Sequence, residues 1–485
     1  MTAPKILFVS SEIYPFTYAG ALSEAVGALP KALEGHCETV LAMPLYSVID
    51  SERYGLERTQ YRFIIPISDR DEPADIWKGL LPGTDIPVYF VASHYFERDA
   101  LYGNATGDYP DNSERFVFFC RAVTEIAENI VRPDIVHCND WQSALVPVYL
   151  KEAYMPYGRM RSVKTVLTIH NVAYQGKFWM YDLHILNLGW HVFSPDKLEF
   201  YNHINYLKGG IVYADAVTTV SRRYAEELRT AEFGHGLEGL LKNIGRKLTG
   251  IRNGVDADYW DPATDRHLPS RYTAPDTGGK AACRKALLAE AGLDRDIVDP
   301  IFGMVTHINL HKGIDLLVRM LGDAATRGDA VFVILGSGEK LLADSLRALA
   351  DRHPGRIVFR PGYDERLSHL IHAGSDFYLM PSRYEPCGMN QMYAMRYGTV
   401  PVVRSVGGLN DTVIDIDEHP SHGTGLKFRD ATPEALKGRI ADATKLFRDN
   451  PDRYKLMARR CMAADFAWSG AADEYLALYG MLAQQ

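Results

Sequence analysis

The chain has 485 residues, beyond the roughly 250 to 300 at which a single hydrophobic core stops growing, so two domains are expected. Its 47% apolar and 24% charged residues are those of an ordinary globular protein and exclude a fibrous or disordered chain. A net charge of −8 with no basic run excludes an electrostatic footprint for nucleic acid or for anionic lipid, so neither nucleic acid nor membrane is expected as a partner.

The first apolar run, ILFVS from Ile6, is short and meets Ser11 and Glu12, so neither a signal peptide nor a spanning helix is expected and the protein is assigned to the cytoplasm. β-Branched runs then alternate with helical patterns: KILFVSSE, SEAVGALPKALE, ETVLAMP, PDIVHCND, TVLTIHN and DAVTTVS. This is βαβ grammar, in which each run is a buried parallel strand and ligands gather beyond the carboxyl ends of the strands. After a loop-like stretch at Ser270 to Lys280 the grammar restarts with IFGMVTHI, AVFVILGSG, RIVFRPG, FYLMPS and TVPVVRS, with helices such as LLADSLRALADRH between them. One α/β domain is therefore expected at 1–245 and a second at 246–455, with a helical segment at 456–485. The six cysteines, Cys37, Cys120, Cys138, Cys283, Cys387 and Cys461, form no CxxC pair, which predicts reduced thiols and no structural zinc site. His137-Cys138-Asn139-Asp140 lacks a second ligand pair, so no metal is expected there either.

Chemistry-bearing residues sit at strand ends. Gly20 precedes a helical pattern, where it permits close backbone approach and leaves helix N–H groups for an anion. Asp140 and His170 follow two apolar runs where substrate groups would be met; they also read as a helix N-cap and as a buried histidine capped by a backbone carbonyl. In MPSRYEPCGMNQMYAMRYGTVPVVRS, Pro386 and Gly388 break the chain after a strand, and a helical run from Asn390 offers its N–H groups as a phosphate cradle. Glu385 lies at the lip of that cradle, able to accept hydrogen bonds from sugar hydroxyls, or else serving as a capping carboxylate. In THINLHKG, Lys312 offers a point charge to a diphosphate, and Tyr363 in GYDE offers a flat face to a nucleobase.

Taken together, FVSSEIYP, DNSERFVFF, PDIVHCNDWQ, TIHNVAYQGKF, TTVSRRYAEEL, NGVDADYWDPATD, PSRYEPCGMNQMYAMRYGTVPVV, GGLNDTV and DFAWSGAADEYLALY resemble the bacterial glycogen synthases and plant starch synthases nearly end to end. That resemblance implies a GT-B fold, two Rossmann-like doubly wound α/β domains facing each other across a deep cleft. It also implies an acceptor-side first domain, a donor-side second one, and a final helix crossing back to the first. The activity it implies is transfer of glucose, with retention, from a nucleotide sugar to the non-reducing end of an α-1,4-glucan, without metal or other cofactor. ADP-glucose is the expected donor, with UDP-glucose the other candidate. Carried over by position, Lys312 steadies the donor diphosphate, Glu385 holds the donor glucose and Tyr363 stacks on the base. Asp140 and His170 line the sugar site, and Asn253 is the asparagine of the NG(I/V)D turn. Cys387, Gly388, Met389 and Asn390 complete the donor side.

Departures from the family pattern concentrate at the donor site. The family's K(T/V)GGL is Tyr18-Ala19-Gly20-Ala21-Leu22 here, and the aspartate two residues on is Glu24. The family arginine is His307 and the threonine of CGLTQ is Asn390. Two permanent cations are lost, which predicts compensation by a protonated His307 and a hydrogen bond from Tyr18, and slower turnover or altered donor preference. The alternatives are a GT-B enzyme with a different donor sugar or small acceptor, and a weakly active glucan-binding homologue.

Overall fold

The structure is a computed structural model and describes residues 3–104, 107–322 and 329–484. The chain forms two compact units. Met1–Val220, Ala225–Gly254 and Trp468–Gln485 make the first; Ser221–Tyr224 and Val255–Ala467 make the second.

In the first unit the strands are β1 (Lys5–Val9), β2 (Glu38–Pro44), β3 (Glu57–Ile67), β4 (Arg70–Leu80), β5 (Pro87–Ala92), β6 (Ile135–Asn139), β7 (Lys164–Ile169), β8 (Ala216–Thr219) and β9 (Leu248–Gly250). They form one sheet in the order β9-β8-β7-β6-β1-β2-β5-β4-β3. From β9 to β5 every pairing is parallel; β4 and β3 add an antiparallel extension. The central parallel strands are largely buried, Ile6, Leu7 and Val9 of β1 being fully inaccessible, as strands covered on both faces require. The sequence reading assigns no strands to 57–92, where β3 alternates exposed and half-buried residues before ending on buried Ile65 and Ile67, in the manner of a strand with one wet face. Its long arginine and glutamate stems blur that signal. Helices α1 (Ala21–Ala32) and α2 (Asn112–Ile126) pack on this sheet.

The units divide after Gly254 rather than at 245 because β9 pairs in parallel with β8, Val217 opposite Leu248, and so extends the first sheet. The C-terminal helix, Trp468–Ala483, packs against α1 in the first unit, and the preceding helix, Pro451–Ala463, remains with the second.

The second unit contains β10 (Ile301–Ile308), β11 (Val331–Gly338), β12 (Ile357–Pro361), β13 (Phe377–Met380), β14 (Val400–Arg404) and β15 (Leu426–Phe428), all parallel, in the order β12-β11-β10-β13-β14-β15. Its helices include α3 (Gly278–Glu290), α4 (Ile314–Gly322), α5 (Lys340–Arg352), α6 (Glu365–Gly374) and α7 (Asn390–Arg396). Numbered along the chain this sheet runs 3-2-1-4-5-6, so the winding reverses between β10 and β13. The parallel part of the first sheet reverses likewise, between β1 and β6. At such a reversal neighbouring loops leave in opposite directions and open a crevice at the carboxyl ends of the strands, where ligands bind. The topology therefore marks four loops: those after β1 and β6 in one unit, and those after β10 and β13 in the other.

Candidate active site

In the first unit, the loop after β1 carries Tyr18 and Gly20 and is tied down by a buried acid that the sequence reading passed over. Glu12 accepts from the Ala19 N–H through Oε2 (3.0 Å) and from the Tyr102 hydroxyl through Oε1 (2.6 Å). Burial raises its pKa, and those hydrogen bonds oppose the rise. Tyr18 is 56% exposed. Gly20 immediately precedes α1 with an extended backbone, and no protein atom lies within 4 Å of where a Cβ would sit. No packing contact inside the fold demands glycine there, and the space beside it is open. Glu24 lies in the first turn of α1.

Asp140 follows β6 in the left-handed region (φ 54°), an uncommon conformation for a non-glycine residue. Its Oδ1 accepts from the His170 N–H at 2.7 Å, with the Asn171 N–H at 3.4 Å. The side chain therefore locks the loop after β7 and does not serve as a helix N-cap. Burial lifts the carboxyl to about 7 against the pull of those two N–H groups, with Glu12 adding to the rise. The His170 imidazole bonds the Asn139 side chain (Nε2 to Oδ1, 2.9 Å) and not a backbone carbonyl. With Nε2 donating, Nδ1 is the lone-pair nitrogen, and it is buried without a hydrogen-bond partner. Burial depresses the ring to about 3, so His170 is neutral at physiological pH. A cavity of about 10 Å³ lies beside it, lined also by Asn139 and Asn253, whose Nδ2 is likewise buried without a partner.

In the second unit, the loops after β10 and β13 deliver Lys312 and Glu385 to one another. Lys312 Nζ donates to Glu385 Oε1 (2.8 Å) and Oε2 (2.6 Å), and Ser382 Oγ donates to Oε2 (3.0 Å). Glu385 is 5% exposed, so it is a buried, paired carboxylate and not a surface cap. The Lys312 loop is set by Asn309, whose Oδ1 accepts from the Lys312 N–H (2.9 Å). The Glu385 loop is pressed against the GGLND turn: a Cβ on Gly407 (φ 44°) would stand 2.0 Å from the Glu385 carbonyl oxygen, and one on Gly408 1.9 Å from that of Cys387. Only glycine allows that approach. Cys387, Gly388 (φ 67°) and Met389 lead into α7, whose first residue, Asn390, donates through Nδ2 to the Val305 carbonyl (3.1 Å) and so ties the helix start to β10. Gln391, another residue the sequence reading passed over, holds this loop through Nε2 to the carbonyls of Cys387 and Gly388 and to Thr412 Oγ1. Tyr363, 63% exposed, stands in the loop between β12 and α6.

Residues 5–243 match the family described as "Starch synthase catalytic domain", and residues 293–458 the family "Glycosyl transferases group 1". Proteins named "Glycogen synthase" are 45% identical over 479 residues in Koribacter versatilis (98% of this chain, 97% of the relative) and 45% identical over 484 residues in Anaeromyxobacter sp. (99% of each). The chain belongs to the glycogen and starch synthase family. Among solved structures, the catalytic domain of Starch Synthase IV from Arabidopsis thaliana, bound to ADP and acarbose, superposes with a TM-score of 0.91 at 31% identity over the whole of both chains. Sucrose-phosphate synthase from Thermosynechococcus elongatus superposes with a TM-score of 0.60 at 17% identity over 99% of each, a likeness of fold alone. The protein is thus a GT-B glycosyltransferase of the glycogen and starch synthase kind, a glucosyltransferase working with a nucleotide-sugar donor and a glucan acceptor.

His307 stands where the family pattern has its arginine. The ring lies at the end of β10 on the Lys312 side, and its pKa is lowered by the protein around it and further by the Lys312 ammonium, with Glu385 opposing. In the free protein these effects favour the neutral ring. Among the described residues no helix is long and apolar enough to cross a membrane.

Proposed function

We propose that the chain transfers glucose from ADP-glucose to the non-reducing end of an α-1,4-glucan with retention at the anomeric carbon, in the cytoplasm. The observation that carries this reading is the Lys312–Glu385 pair, built from the two loops that flank the reversal of the second sheet. In the free protein the ammonium neutralises the buried carboxylate. An arriving diphosphate competes for Lys312, which follows the larger negative charge and releases Glu385 to accept from donor-sugar hydroxyls. Both groups then face charge that grows in the transition state: negative on the leaving diphosphate, positive at the sugar carbon. Lys312 thus steadies the leaving group and Glu385 the sugar, with Tyr363 stacking on the base and the Cys387–Asn390 turn facing the phosphates.

Asp140, His170 and Asn253 supply the sugar site of the first unit. The neutral His170 ring and the His170 N–H bond to Asp140 hold the loop after β7 so that its backbone carbonyl faces the reacting carbon. Tyr18, Gly20 and Glu24 line the same side of the donor. Retention of Lys312, Glu385, Asp140 and His170 supports catalysis over a binding-only role.

Purified protein incubated with ADP-glucose or UDP-glucose, with and without glycogen, is expected to release nucleoside diphosphate and incorporate label only when glycogen is present, faster from ADP-glucose. Glu385→Ala and Lys312→Ala are each expected to lower the rate by about 10²-fold or more, the magnitude typical of a lost electrostatic contact to the transition state. Absence of glucan-dependent transfer from either donor would overturn the reading.

A further inference from the structure

At the start of α6, two residues beyond Tyr363, three ligand-type side chains converge to which the proposed transfer assigns no role. His267, Glu365 and His369 each bring one donor atom to a place where all three atoms lie within 4.8 Å of one another. We propose that they bind a divalent transition-metal ion of the zinc type.

The arrangement of the histidines is that of ligands awaiting a cation. His369 is 1% exposed, and its Nδ1 faces Asp265 Oδ2 at 2.7 Å, so Nδ1 carries the proton and Nε2 the lone pair. That Nε2 is buried and has no hydrogen-bond partner. A buried acceptor left unpaired costs stability unless something occupies it. The ring plane is fixed by Trp260, stacked at 4.2 Å and 7°. Asp265 serves the second histidine as well: its Oδ1 accepts from the His267 N–H at 2.8 Å. Asp265 thus fixes the His369 ring as carboxylates behind metal-bound histidines do, while its bond to His267 is a backbone turn that places that residue.

Distances agree with a metal better than with direct contact. His267 Nε2 and Glu365 Oε1 are 3.7 Å apart, too long for a hydrogen bond. Two ligands about 2.1 Å from zinc at a tetrahedral angle stand about 3.4 Å apart. Glu365 begins α6, its carboxylate steadied by the Tyr259 hydroxyl, and its side chain is 44% exposed, which leaves an entry path from solvent. The exposed Arg266 side chain, whose Nε is 3.4 Å from His267 Nε2, must turn away on loading. Two imidazoles and one carboxylate suit Zn2+, Co2+ or Ni2+ and not Mg2+ or Ca2+, and they leave a fourth position for water.

The test is isothermal calorimetry of the full chain, stripped with EDTA and dialysed, titrated with ZnCl2 and separately with MgCl2. We expect one saturable Zn2+ site per chain and no Mg2+ site. His267→Ala and Glu365→Gln lie on the solvent side of the cluster; each is expected to weaken Zn2+ binding at least tenfold while leaving circular dichroism and melting temperature in EDTA unchanged. Co2+ added to the stripped protein should give a visible absorption band of four-coordinate type that both variants lose. Absence of saturable Zn2+ binding below millimolar, or binding and Co2+ spectra unchanged in both variants, overturns the site.

Discussion

At the scale of single residues the site is governed by what burial does to charge. Glu385 stays buried because Lys312 and Ser382 satisfy it. Asp140 has no cation, only N–H donors, and burial therefore prevails and lifts its pKa from an ordinary 3.8 to about 7. Between about pH 4 and 7 the unfolded chain has already released this proton while the folded chain keeps it. The folded state then binds more protons, and stability falls as pH rises through that window. Asp140→Asn keeps an acceptor for the His170 N–H and tolerates the left-handed backbone. The urea midpoint of the native protein minus that of this variant is accordingly expected to decline from pH 4 to pH 7. A difference flat with pH would show that Asp140 is ionised throughout. His170, depressed to about 3, acts in the opposite sense: its contribution is complete above about 6.5 and is lost as pH falls toward 3. It is present in both proteins and cancels from the comparison.

Elements are held by a few polar contacts inside apolar seams. The C-terminal helix buries Trp468, Ala471, Ala472, Tyr475, Tyr479 and Leu482, a stripe at helical spacing. Its shortest polar anchor is the Tyr479 hydroxyl, 2.7 Å from His137 Nδ1, while His137 Nε2 meets Thr168 Oγ1 at 2.6 Å; the Tyr475 hydroxyl adds longer contacts to Thr168 Oγ1 (3.4 Å) and Thr218 Oγ1 (3.5 Å). Burial pushes the His137 ring down to about 3, so it is neutral and both nitrogens need partners. Tyr479→Phe leaves Nδ1 buried and unpaired, which is expected to cost about 1–3 kcal/mol in chemical denaturation. A change near zero would mean that a water takes the place of the hydroxyl. His137, read from sequence only as part of a tempting metal motif, is instead the socket of this helix.

For the molecule as a whole, the first unit is discontinuous: its sheet closes at β9, near residue 250, yet the stripe that covers α1 arrives from residue 468 onward. A fragment ending at Gly254 is therefore expected to lack cooperative unfolding, and a fragment carrying residues 468–485 on a flexible linker to regain it, as read by circular dichroism in urea. Cooperative unfolding of the short fragment would show that the helix is an accessory. The positions of these β-runs were legible in sequence because buried parallel strands are continuous apolar runs bounded by polar loops, and β1, β2, β6, β8, β10, β11, β12, β13 and β14 fall within the runs read for them, while β7 starts one residue before its run. The four chemically distinctive residues Asp140, His170, Lys312 and Glu385 were legible because each follows such a run. What sequence could not convey was partnership. Lys312 and Glu385 are 73 positions apart, and only the reversal of winding between β10 and β13 makes their loops neighbours. Glu12, Asn139, Gln391 and the histidines facing Glu365 carry no local pattern at all, and the lowered pKa of His307 comes first from desolvation and then from the Lys312 ammonium. The sequence by itself determined most of the buried parallel strands, the family and the identity of the charged groups, since these rest on local pattern and composition. The tertiary structure alone decided which charges are buried, which are paired and which nitrogen is left without a partner, because those depend on contacts between residues distant in the chain.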